Sequence, residues 1–118
     1  MIIKLDKEYE VKCTLGTIRA IEKRFNKPFI PLMSDLNKLT TTEQIKILYC
    51  GFVKANPDIS EEKFCSIIEE NIGIGELADI LENYVYQLQY PGKSKEEVEE
   101  IVQKKLQKAN RLNSIGKN

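Results

Sequence analysis

Histidine and tryptophan are both absent from this 118-residue chain. The missing histidine removes the commonest general base, the commonest metal ligand and every histidine-based triad together. No apolar run approaches the roughly 20 residues that span a bilayer. From Met1-Ile2-Ile3-Lys4-Leu5-Asp6 onward, an acid arrives before any apolar core of signal-peptide length develops. The expectation is a cytoplasmic protein with no membrane association. Neither sign of charge is in excess. Eighteen basic and eighteen acidic residues give a net charge of zero, so there is no broad basic field for nucleic acid.

Cysteine is scarce and unpatterned. Cys13, Cys50 and Cys65 are odd in number, widely separated and without a C-x-x-C pair. A zinc site built on them would need a carboxylate as fourth ligand. Each lies among apolar neighbours, which predicts three buried, reduced thiols rather than a metal or redox centre. No cofactor and no metal are expected.

Hydrophobic residues make up 42% of the chain and charged residues 31%, an ordinary globular balance. The length fits one domain with an appended helix. Residues 1–92 read as a compact helical domain with an N-terminal β-ribbon over 1–14, and residues 93–118 as an amphipathic C-terminal helix with a frayed tail. The fold class expected is mainly α, with a small N-terminal β-hairpin packed on a compact bundle of about five to six helices.

The ribbon is read from Ile2–Leu5 and Tyr9–Thr14, separated by Asp6-Lys7-Glu8, with Ile3 and Leu5 on one face and Tyr9, Val11 and Cys13 on one face. Thr14 predicts the cap of a helix to about Phe25, with Leu15, Ile18, Ile21 and Phe25 inward. Asn26-Lys27-Pro28 ends it. A short helix from Pro31 to about Lys38 is expected, with proline at the first helical position and Phe29–Ile30 in the preceding loop. Thr40 and Glu43 have capping-box spacing, opening a helix to about Asn56 with Ile45, Leu48, Tyr49, Phe52 and Val53 on one stripe. Ser60 caps the next helix, with Glu61 and Glu62 at its positive end and Phe64, Ile67, Ile68 and Ile72 inward. After Gly73-Ile74-Gly75, a further helix over about Glu76–Gln89 turns Leu77, Ile80, Leu81, Tyr84, Val85 and Leu88 to the core. Ser94 and Glu97 form a capping box for a last helix to about Leu112, whose narrow apolar stripe holds Val98, Ile101 and Val102.

Residue chemistry assigns no reaction. Gly73-Ile74-Gly75-Glu76-Leu77-Ala78 fits a loose dinucleotide pattern, but a helix precedes it where a strand is required, so a cap and interhelical turn are expected. The pairs Glu61-Glu62, Glu69-Glu70 and Glu96-Glu97 fall on expected solvated faces, so the chain reads as no enzyme. Charge is uneven. Residues 1–56 carry +4, residues 57–90 carry one base against eight acids for −7, and residues 91–118 carry +3. Tyr86 and Tyr90 lie four apart, off the buried side of their helix and aligned with Asp79 and Asn83, as tyrosines on protein-binding surfaces often do.

The order of features carries a resemblance. A ribbon leads into Thr14-Leu15-Gly16-Thr17-Ile18-Arg19-Ala20-Ile21-Glu22-Lys23-Arg24-Phe25-Asn26-Lys27-Pro28-Phe29. A threonine-capped helix then ends in Ala55-Asn56-Pro57-Asp58-Ile59-Ser60-Glu61-Glu62, followed by a helix pair and a charged last helix. Over residues 1–90 this resembles the small tail assembly chaperones of long-tailed bacteriophages and prophages, including the related tail protein of gene transfer agents. The resemblance implies a non-catalytic protein that coats the tape-measure protein in the host cytoplasm and helps recruit tail-tube subunits, with self-association open. It also implies a longer form made by ribosomal frameshifting, with which Gly116-Lys117-Asn118 is compatible. Candidate partner contacts are Phe29, Ile30, Tyr86, Tyr90, Val98, Ile101 and Val102. The alternative is a structural virion component, such as a head–tail connector or minor tail protein.

Overall fold

The computed structural model describes residues 1–94, 96, 97, 99, 100, 103 and 104. The expected fold class holds. Two short antiparallel strands, β1 (Ile2–Lys4) and β2 (Glu8–Glu10), precede the helices α1 (Leu15–Phe25), α2 (Phe29–Ser34), α3 (Thr41–Ala55), α4 (Glu61–Asn71) and α5 (Ile74–Gln89). One 3-10 turn, Leu36–Lys38, links α2 to α3.

The ribbon pairs Ile3 with Tyr9, and both side chains are buried while their strand neighbours are exposed. Val11 still exchanges backbone hydrogen bonds with Met1, and beyond it the chain leaves the ladder. The Lys12 N–H donates to the Gly51 carbonyl of α3 at 3.0 Å, and the Thr17 hydroxyl donates to the Lys12 carbonyl at 2.6 Å. The second strand therefore ends sooner than the alternation predicts, because its backbone partners lie on helices.

Three caps form as their local chemistry dictates. Thr14 accepts from the Thr17 N–H, Thr40 and Glu43 complete a reciprocal capping box, and Ser60 accepts from the Lys63 N–H. Asn26 ends α1 in the left-handed region at φ 52°, a conformation asparagine tolerates better than most residues. Ser94 likewise accepts from the Glu97 N–H at 3.2 Å, and Glu100 pairs with Lys104 at 3.5 Å.

Helix α3 is the hub. Ile45, Ile47, Leu48, Cys50, Gly51 and Phe52 are all buried, so the helix is covered around most of its circumference rather than along one stripe. Phe52 stacks against Phe64 of α4 with ring centres 4.1 Å apart, and Tyr9 and Tyr49 complete an aromatic group around that pair. Helix α5 closes the core with Leu77, Leu81, Tyr84 and Leu88.

Three expectations need correction. Leu15 is 77% exposed, and Thr17 takes the inward place because its hydroxyl is satisfied by Lys12. Helix α2 starts at Phe29, with Pro28 as its cap residue and Pro31 in its first turn, where no N–H is needed. Gly73 caps α5 and Gly75 lies inside it, so that helix begins two residues before the expected Glu76. Among the described residues, no helix is long and apolar enough to cross a membrane.

Candidate functional site

Helices α2 and α5, with the 3-10 turn and the start of α3, enclose a groove of about 520 Å³. Met33 and Leu36 supply one wall. Ala78, Leu81, Val85 and Tyr86 supply the other, spread over successive turns of α5. Gln44 shapes the floor: its amide Nε2 donates to the Leu36 carbonyl at 3.0 Å, fixing the 3-10 turn against α3. The rim is polar and carries little charge, with Asn37, Glu82 and Gln89.

Local sequence explains why this wall exists. The Glu22 carboxylate accepts from the Phe29 N–H at 2.9 Å, so α1 supplies the cap that Pro28 cannot. Phe29 and Leu32 then anchor α2 in the core. Met33, one residue past Leu32, is half-buried at the groove, and Leu36 follows three residues on.

Phe29 is only 5% exposed, so it is a core residue and not a surface contact; entering a helix rather than a loop turned it inward. Its neighbour Ile30 is 63% exposed. Tyr86 is half-buried in the groove wall with Glu82 and Val85, while Asp79 and Asn83 line a second cleft. Tyr90 is half-buried at the C-cap of α5. Val98, Ile101 and Val102 lie outside the described residues. The structure thus sets Tyr86 across the groove from Met33 of α2 and Leu36 of the 3-10 turn. Those two residues were missed because their i, i+3 spacing sits in a proline-broken stretch too short to show a period.

Several ionisable groups are engaged in structural tasks. The Arg24 guanidinium clamps Glu61 with both nitrogens, the second at 3.0 Å, and holds that carboxyl below the usual range. Hydrogen bonds from Thr40 do the same for Glu43. Burial pushes the thiols of Cys13, Cys50 and Cys65 up. Among the described residues, no group of three or more acids or cysteines has a metal-binding arrangement. Compared with family models, curated proteins and solved structures, the chain matches none of them.

Proposed function

We propose that this chain is a non-catalytic tail assembly chaperone of a long-tailed phage or prophage. In this reading it binds an amphipathic helix of the tape-measure protein in the host cytoplasm and helps recruit tail-tube subunits. The observation that carries the reading is the groove between α2 and α5, with its apolar walls and weakly charged rim. Its α5 wall runs from Ala78 to Gln89, about 16 Å at 1.5 Å per residue. A partner helix with anchors at i, i+4 and i+7 needs about 10 Å of groove. Met33 and Tyr86 suit such a role, since thioether and aromatic side chains repack around varied apolar anchors.

The test is co-expression with the tape-measure protein of the same genome, followed by purification of the complex. Capture by the unaltered chain and loss on Val85→Glu support the reading; no complex at micromolar concentration refutes it. Mass spectrometry of finished particles separates this helper role from that of a structural virion component, because a helper is absent from the particle.

A further inference from the structure

The outer edge of β2 is partly taken up, and that of β1 is open. Hydrogen-bonded pairing falls on Met1 with Val11, Ile3 with Tyr9 and Leu5 with Lys7. The N–H and C=O groups of Ile2 and Lys4 therefore point away from β2. On the β2 side, the Asn56 amide at the end of α3 donates to the Glu10 carbonyl at 2.8 Å and takes up one of that edge's outward groups. On the β1 side, among the described residues, nothing pairs with Ile2 or Lys4.

That open edge borders a cleft of about 340 Å³ whose far wall is α5. Met1 and Ile80, both half-buried, give it an apolar lining, and Ile2 is 60% exposed at its margin. Glu76 and Asp79 stand three residues apart on the α5 wall, exposed and without an ion-pair partner among the described residues, against the single base Lys4.

We propose that this cleft binds an extended, basic segment of a partner protein as a third strand on β1, separately from the helix groove. Main-chain pairing with Ile2 and Lys4 supplies the affinity, and alternate side chains supply the selectivity. Every second side chain of the segment faces α5, and one of these packs on Met1 and Ile80, which favours an apolar residue. The next on that face, two residues along, meets Glu76 and Asp79, which favours lysine or arginine. A second copy of this chain fits less well. Its own β1 offers one base, and a two-fold pairing sets one acidic α5 wall against the other.

The test uses the full chain and two labelled heptapeptides, read by fluorescence anisotropy: both carry threonine at the odd positions and valine at position 4, with lysine at positions 2 and 6 in one and glutamate there in the other. The lysine peptide binds at least about tenfold more tightly. Ile2→Pro removes an outward N–H that no ladder bond uses and keeps an apolar side chain at the margin, so it weakens binding about tenfold or more while the thermal midpoint is kept. Glu76→Lys with Asp79→Lys, on an exposed helix face that needs no ribbon integrity, weakens the lysine peptide alone. Equal binding of the two peptides, no binding at about 1 mM, or full binding by Ile2→Pro overturns the proposal. So does a concentration-dependent dimer in sedimentation that Ile2→Pro abolishes, because the edge is then taken by a second copy.

Discussion

The Tyr84 hydroxyl of α5 donates to the Ile47 carbonyl of α3 at 3.0 Å, inside the core and across 37 positions of sequence. The ring is fully buried, and that burial pushes the hydroxyl far above the usual tyrosine range, so it remains a donor wherever the fold survives. Tyr84→Phe keeps the ring and removes the bond. The expected loss is about 1 kcal/mol, read as a lower urea midpoint with an unchanged slope. Tyr84→Ala empties the site and costs about 3–5 kcal/mol.

Gly51 makes that approach possible. A methyl group there lies 2.8 Å from the Tyr84 hydroxyl and 2.8 Å from the Lys12 carbonyl. Neither gives way: the Tyr84 ring is fully buried, and the Thr17 hydroxyl pins the Lys12 carbonyl from the other side at 2.6 Å. Gly51→Ala is expected to destabilise by about 1–3 kcal/mol, although alanine is the better helix former. Combining it with Tyr84→Phe restores little, since the Lys12 contact persists. Thermal unfolding of the two single variants and the double variant checks this.

Much of the fold was legible because caps are local. Thr14, Thr40 with Glu43, and Ser60 each announce a helix start by side-chain chemistry within four residues, and each forms. Burial was less legible. Leu15 and Thr17 exchange the places that hydropathy assigns them, because the Lys12 carbonyl offers Thr17 a partner that no periodicity reveals. Phe29 was misplaced for a different reason. Pro28 and Pro31 both suit a helix start, and only the Glu22 carboxylate, seven residues upstream, selects the earlier one. The groove is harder still. It joins Met33 and Leu36 to Val85 and Tyr86, and nothing in either segment points to the other.

The cysteines give a reading of core access. Cys50 is buried, and its thiol donates to the Lys46 carbonyl at 3.4 Å, whereas Cys13 and Cys65 are half-buried. Since burial raises all three thiols, each holds little thiolate at neutral pH. A disulfide reagent at pH 8 is expected to label Cys13 and Cys65 slowly and Cys50 last, with all three reacting at once in denaturant. Peptide mapping by mass spectrometry identifies the order; early labelling of Cys50 would mean that α3 opens locally.

The Arg24–Glu61 clamp ties α1 to α4 and makes stability depend on pH in one direction. Arg24 holds the Glu61 carboxyl below its unfolded value of about 4.3. The stabilisation is therefore present above that unfolded value and is lost as pH falls through the lower, folded one. The side chains keep 36% and 31% of their exposure, so water and salt screen the pair and its worth stays below about 1 kcal/mol. Glu61→Gln is expected to lower the melting temperature at pH 7, and the gap to the unaltered protein closes below about pH 4. Glu61 also sits in the first turn of α4, where a carboxylate favours the helix dipole on its own account. Arg24→Met and the double variant separate the two contributions in a cycle. A coupling that persists in about 1 M salt, where the screening length is about 3 Å, rules out an ion pair as the source.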